Sequence, residues 1–238
     1  MPDRPRKQKW CWTGAQELTS RFDEIEFSPA ARSAGRRWSG RSLCCARGRM
    51  VDKPSVAGLG AVLEQLLQTP QTTTHAIPRG PGFYAWWCQK QHLEDTSVPL
   101  PYEQRPPTPA EWSLLYVGIS PSGPASTLDV SSRVARNHVG GNIGSSTFRQ
   151  TLAVLLVAKL RLQPRTGSDR ARLTDEKPPS DWLKQSCGLT YALVADPWLL
   201  EPAVISELAP PLNISHGCHP YAQVAKRTRM ELRRACGL

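Results

Sequence analysis

The stretch LLYVGIS, Leu114 to Ser120, decides how the rest of the chain is read. Its apolar run, broken early by Gly118, predicts a short buried strand with the Tyr116 phenol in its middle. Some thirty residues upstream, GFYAWWC (82–88) predicts a second such strand carrying Tyr84, entered through the breaker PRGPG. The two are expected to be antiparallel neighbours, joined by a long polar, proline-bearing connection, LEDTSVPLPYEQRPPTPAEW (93–112). Strand aromatics commonly fill a core with the hydroxyl reaching the surface. That is the expectation for the bodies of Trp86 and Trp87. For Tyr84 and Tyr116 the alternative is that the hydroxyls carry chemistry.

Working outward, residues 1–50 are rich in Arg, Ser and Gly without sustained periodicity, and are expected to be a basic, largely disordered extension. Residues 51–79 read as a leading helix, with Leu59, Leu63 and Leu66 on one face, and a linker. Beyond LLYVGIS, residues 129–138 are expected to form a helix with Asp129 as N-cap and the glycine pair 140–141 as its stop. Thr147 and Gln150 form a capping-box pattern for a following helix, striped by Phe148, Leu152, Leu155 and Leu156. The charged segment 164–180 reads as a loop, LTYALVADP (189–197) as a third strand, 199–208 as a short helix, PPLN (210–213) as a turn and 222–236 as a basic helix. The expected order is two strands, two helices, one strand and two helices. That is an α/β (α+β) domain with a small three-stranded antiparallel or mixed sheet flanked by helices.

Composition narrows the class. An apolar fraction of 39% allows a packed core, whereas 22 prolines imply long irregular segments. The charged N-terminus lacks the apolar stretch of a signal peptide, and the longest apolar run breaks at Lys159, too short for a bilayer. A soluble, cytoplasmic protein without a membrane partner is expected. Seven cysteines contain no Cys-x-x-Cys pair, so reduced thiols are favoured over a zinc site built on His216, Cys218 and His219 with Cys44 and Cys45. A net charge of +10 favours a polyanionic partner, although six of those charges fall within the first fifty residues.

Glu201 falls inside the apolar stripe Leu200, Val204, Ile205 and Leu208 of its helix, whereas Glu207 lies towards the edge. A carboxylate so placed needs a cation, a metal or a capping position at an element boundary. Pro202 beside it is tolerable in a first helical turn, so Glu201 is expected at a helix N-terminus, where the dipole helps to keep it ionised. Arg133 and Arg136 lie at i, i+3 on the helix after the second strand, with His138 at its end. Such a row either grips phosphate oxygens or forms a solvated basic face. No G-x-S-x-G elbow, P-loop or G-x-G-x-x-G after a strand is present.

GFY on one strand and YVG on the next resemble the signature of the GIY-YIG nuclease superfamily. In that family an arginine on the next helix, often a nearby histidine, then a glutamate and a closing asparagine follow. SSRVARNH supplies Arg133 and His138; EPAVISELAPPLN supplies Glu201 and, twelve residues on, Asn213. The resemblance covers roughly residues 80–215, with Phe83 in place of the central isoleucine, an unusually long first connection and Pro202 after the glutamate. Residues 216–238 then stand as a basic C-terminal helix.

The resemblance implies a metal-dependent endonuclease acting on nucleic acid, with one Mg2+ or Mn2+ held by Glu201; DNA is favoured over RNA as the partner, and the choice between them stays open. Arg133 would neutralise phosphoryl charge. One tyrosine, Tyr84 in the favoured assignment, would position or deprotonate the attacking water, and Tyr116 would hold the phosphate. His138 would assist with the phosphate or a proton, and Asn213 would brace the site. The rival readings are a catalytically degenerate nucleic-acid-binding module of the same fold and a small zinc-stabilised interaction protein.

Overall fold

Strands β2 (Gly82–Gln89) and β3 (Trp112–Ser120) pair antiparallel in the computed structural model, which describes residues 56–72, 76–94, 96, 109, 111–217 and 219–238. The described residues belong to one compact unit, Val51–Leu238. The expected extension 1–50 and much of the connection between β2 and β3 lie outside the described residues.

Helix α1 (Val56–Leu66) comes first, then the two-residue strand β1 (Gln71–Thr72). A single helical turn, α2 (Lys90–Leu93), follows β2. After β3, the short helix α3 (Val130–Ser132) runs straight into a π-helical stretch, Arg133–Val139. Helix α4 (Thr147–Leu156), the hairpin β4 (Pro164–Arg165) and β5 (Arg172–Leu173), and helix α5 (Lys177–Ser186) come next. Strand β6 (Cys187–Leu193), helix α6 (Pro197–Leu208) and helix α7 (Tyr221–Ala235) complete the order. The main sheet is antiparallel throughout, in the order β1-β6-β2-β3.

The α/β class and the antiparallel pairing are as expected, with one strand more in the sheet than the three foreseen. Two residues of strand carry no readable periodicity, which is why β1 escapes a sequence reading. Segment 164–180 is also more ordered than a loop. It holds the hairpin and the start of α5, whose Pro178 and Pro179 occupy the first turn, where a missing N–H costs no helical hydrogen bond.

Alternation of side chains gives β2 and β3 two different faces. Phe83, Ala85, Trp87, Leu114, Val117 and Ile119 face a core completed by Val62 and Leu66 of α1 and by Leu200, Val204 and Leu208 of α6. Trp87 donates its indole N–H to Thr190 Oγ1 (2.9 Å), and Thr190 in turn donates to the Leu66 carbonyl (2.7 Å), so the large ring is buried without an orphaned donor. On the other face Tyr84, Trp86 and Tyr116 pack with Phe148 and His138. Phe148 stacks on Trp86 and Tyr116 at centroid distances of 5.3 and 4.9 Å. One face is pure core; the other mixes rings with polar groups.

Strand β3 lies at the sheet edge, where its outer amides and carbonyls need partners. The chain leaving α6 supplies them. Leu212 donates its N–H to the Leu115 carbonyl (3.0 Å), and the Asn213 side chain grips both backbone groups of Val117. Helix α7 packs against α4. Its start is capped by His219, whose Nδ1 accepts the Tyr221 N–H at 3.0 Å.

Candidate active site

The register of β2 and β3 explains why each strand pairs a tyrosine with a glycine. Tyr84 lies directly opposite Gly118, while Tyr116 lies opposite Trp86, so the two phenols are diagonal neighbours on one face, 6.5 Å between ring centroids. The Tyr84 ring crosses the strand over Gly118. A Cβ at position 118 would overlap the hydroxyl and the ring carbon that bears it. Gly118 is therefore needed for space, and it allows Tyr84 to lie flat across β3.

Behind the phenols stands the π-helical stretch. In an α-helix at 3.6 residues per turn, Arg133 and His138 would point about 140° apart. A π-helix bonds i to i+5, which brings those two residues onto the same side. Both then converge on Tyr84. His138 Nε2 lies 2.7 Å from the Tyr84 hydroxyl, and the Arg133 guanidinium lies near enough for its charge to bear on the same phenol. Arg136, the other member of the basic row, is exposed. The row read at helical i, i+3 spacing therefore divides, with Arg133 in the site and Arg136 in solvent.

His138 is only 1% exposed, and its Nδ1 meets Ser146 Oγ at 2.7 Å. Burial, reinforced by the charges of Arg133 and Arg149, lowers its pKa to about 3, so the ring is neutral at physiological pH. One ring nitrogen then carries the proton and the other accepts. The imidazole thus links the Tyr84 and Ser146 hydroxyls as a fixed hydrogen-bonded bridge. Both ring nitrogens are taken by hydroxyls of the chain, so the expected help with the phosphate or a proton would have to pass through Tyr84.

Ser146 is the true N-cap of α4, accepting the Arg149 N–H at 3.1 Å. The cap lies one residue before the Thr147 of the capping-box pattern, and the same Ser146 hydroxyl that caps the helix meets His138. Arg149 is fully buried. It donates to the carbonyls of His138 (2.8 Å), Val139 (3.3 Å) and Glu176 (2.6 Å), and pairs with the Glu176 carboxylate at 3.3 Å. Glu176 also accepts the N–H groups of Ile143 and Leu173. This pair, a buried guanidinium and a partly exposed carboxylate, ties the end of the π-helix to the hairpin and α5. Ser146, Arg149 and Glu176 are not among the residues expected from sequence. Their signal was available: Arg149 shares a helical face with Leu152 and Leu156, and a cation inside an apolar stripe demands a buried partner.

The tyrosines remain phenols. Burial is the largest cause of the Tyr84 shift, driving its pKa well above the ordinary value; neighbouring Tyr116 adds to the rise and Arg133 opposes it. Tyr116, half-buried, is pushed up to about 12, again mainly by burial and against the pull of Arg133. This burial works against Tyr84 as a proton-abstracting base and favours the orienting role.

Glu201 comes within electrostatic reach of both phenols and of Arg133, although it lies 117 and 85 residues away from Tyr84 and Tyr116 in the sequence. It is half-buried and makes no ion pair or hydrogen bond among the described residues. Burial raises its pKa, while the nearby charges of His216 and Arg133 pull it down. Its setting differs from the one expected. Helix α6 starts at Pro197, so Glu201 sits beyond the first turn and Pro202 lies inside the helix. Pro202 lacks an N–H for the Trp198 carbonyl, and the helix tolerates the loss because both flanks are packed through Leu200, Val204 and Leu208.

Asn213 is placed as a brace rather than as a substrate contact. Its Oδ1 accepts the Val117 N–H (2.9 Å) and its Nδ2 donates to the Val117 carbonyl (2.8 Å). Val117 sits between Tyr116 and Gly118, so the clamp holds the edge strand that carries the second phenol. Of the six residues selected from sequence, Tyr84, Tyr116, Arg133 and Glu201 share one electrostatic site, and His138 and Asn213 support it from behind.

Among the described residues no group of three or more His, Cys, Asp or Glu side chains is arranged to hold a metal. Cys44, Cys45 and Cys218 lie outside the described residues, and His219 spends its Nδ1 on the cap of α7. A hard cation of the magnesium type needs only one or two carboxylates and retains its waters. The unpaired, partly desolvated Glu201 meets that requirement.

A match to a catalytic-domain family model gives the class, a nuclease-type domain. The chain belongs to the GIY-YIG family: the model of the GIY-YIG catalytic domain matches residues 82–235. No curated protein and no solved structure matches the chain significantly.

Proposed function

We propose that the chain is a divalent-metal-dependent endonuclease that hydrolyses phosphodiester bonds in nucleic acid, DNA in the first instance. The observation that carries this reading is the convergence of Arg133 and Glu201 on the two phenols of one sheet face. Glu201 would hold the metal, Mg2+ or Mn2+. When bound, the ion supplies Lewis-acid polarisation of the phosphate and stabilisation of the leaving oxygen.

The remaining work falls to the chain itself. Tyr84, held by His138 and flattened over Gly118, offers a fixed neutral hydroxyl that orients the attacking water. Tyr116 presents a second hydroxyl from the same face to a phosphate oxygen. Arg133 balances the negative charge that grows on the phosphoryl oxygens as water adds and the bridging P–O bond breaks. Ser146 and Arg149 keep the imidazole in place, so the Tyr84 hydroxyl has little freedom to lose on reaching the reactive geometry.

The test is nicking of supercoiled plasmid with Mg2+ and with chelator, beside single-stranded DNA and RNA substrates. Tyr84→Phe, Tyr116→Phe, Arg133→Ala and Glu201→Ala should each lose about 100-fold or more in rate while circular dichroism stays that of the parent. Wild-type nicking by the Glu201→Ala protein would remove the mechanism. Retained DNA binding without metal-dependent cleavage would favour the binding-module reading.

A further inference from the structure

On the far side of the His138 bridge from Tyr84 lies a cleft of about 400 Å³, walled by the start of α4, the hairpin and α7. Its floor is the N-terminus of the ten-residue helix α4. There Thr147 and Phe148 have no preceding turn to accept their N–H groups. Arg170 enters from the hairpin, and Arg229 and Arg233, one turn apart, enter from α7. None of the three arginines makes an ion pair among the described residues, and the Nε of Arg229 is buried without a partner. Burial, with the charge of Arg233 added, lowers the pKa of Arg229, as expected for two cations crowded together without an acid between them. Asp169 is the single carboxylate on the wall, so the lining keeps a net charge of two positive units.

A second observation is independent of the helix end and the charges. Gln150 is only 6% exposed, lines this cleft, and its side-chain amide has no hydrogen-bond partner among the described residues. Its amide opens onto the cleft, where a bound oxyanion would accept its N–H in place of water. An amide N–H donor, free helical N–H groups and unpaired guanidinium groups are together what the acceptor oxygens of a phosphate require.

We propose that this cleft is a second phosphate-binding site, which takes a phosphate of the nucleic acid that the catalytic face cleaves. The proposal rests on the nuclease reading only for the identity of the carrier molecule. The site is also joined to the catalytic face: Ser146 lines it and bonds to His138, which bonds to Tyr84. A phosphate seated at the start of α4 therefore lies one imidazole away from the phenol that orients water.

Two measurements test it on the full chain. The first is binding of a fluorescent DNA duplex in chelator, so that nothing is cut, over a range of salt. Arg229→Ala/Arg233→Ala should weaken binding about tenfold and reduce the salt slope by about one. Lys226→Ala/Arg227→Ala, on the exposed face of α7, should have a clearly smaller effect. Equal losses from both pairs would reduce the cleft to one part of a diffuse basic helix and overturn the proposal. Duplexes with 5′-hydroxyl and 5′-phosphate ends separate the sources: equal affinity means a backbone phosphate, and a preference for 5′-phosphate that Arg229→Ala/Arg233→Ala abolishes means a terminal one.

The second measurement is titration of inorganic phosphate followed by NMR. Saturable shifts of the Gln150 side-chain amide and the Thr147 and Phe148 N–H groups are expected in the parent and not in Gln150→Leu/Arg233→Ala. No saturable shift in the parent would refute the site. Phosphate binding in a protein that neither binds nor cuts DNA would uphold the cleft and defeat the nuclease reading. Normal cleavage with unaltered duplex binding by Arg229→Ala/Arg233→Ala would do the reverse.

Discussion

Replacing Asn213 by alanine isolates the clamp on the edge strand. The substitution removes two hydrogen bonds, of 2.9 and 2.8 Å, and leaves the N–H and carbonyl of Val117 unmatched beside a residue that is itself fully buried. Each buried backbone group left without a partner costs about 1–3 kcal/mol. Water entering the space vacated by the amide relieves part of this, so a loss of about 2–3 kcal/mol is expected. In a domain of this size that corresponds to a fall in Tm of roughly 4–12 °C by calorimetry or circular dichroism. Asn213→Asp should be at least as destabilised at pH 7, because it turns a carboxylate oxygen towards the Val117 carbonyl. Well below the melting temperature, Asn213→Ala should retain measurable cleavage with reduced kcat, since the residue fixes β3 and touches no substrate. A Tm within about 1 °C of the parent would refute the reasoning, for it would mean that Val117 finds its partners elsewhere.

Gly118→Ala should lose activity more than stability. The new methyl group must push the Tyr84 ring off β3, an overpacking cost of about 1–3 kcal/mol, and a displaced hydroxyl breaks the bond to His138. Wild-type nicking by Gly118→Ala would contradict the packing of Tyr84 across that glycine. Acid should destabilise the fold through His138, whose pKa falls from its ordinary 6.5 to about 3 on folding. Above pH 6.5 neither state carries the proton and nothing is lost. Below it the unfolded chain gains the proton first, so stability should fall by up to about 1.4 kcal/mol per pH unit towards pH 3. Urea midpoints at pH 7 and pH 5 measure this, and His138→Gln should flatten the dependence; an equally steep fall in that variant would assign it to other groups.

The sheet and the four converging residues were legible because they are written in local chemistry: tyrosine and glycine within short apolar strands, an arginine on the next helix, an acid within an apolar stripe. The supports were less legible, for two physical reasons. A π-helical stretch changes which side chains share a face, and a reading at 3.6 residues per turn aligns Arg133 with Arg136 when the molecule aligns it with His138. Glu176 looks like one of many charges in a polar segment, and only the fold reveals that its carboxylate meets a guanidinium with no exposure to solvent. Glu201 lies deeper in its helix than the sequence implies, for a related reason. Pro202 suggests a helix start, yet tertiary packing carries α6 through it from Pro197.

The pairing of Arg149 with Glu176 has a consequence for anyone who wishes to trim this domain to a minimal tool. The segment between α4 and β6 looks like a removable decoration, rich in charge and proline. Excising it would strand a guanidinium in the interior beneath the imidazole that steadies Tyr84. A shortened version would need an uncharged, shape-matched residue at position 149, and a new means of holding the backbone of His138 and Val139 in place.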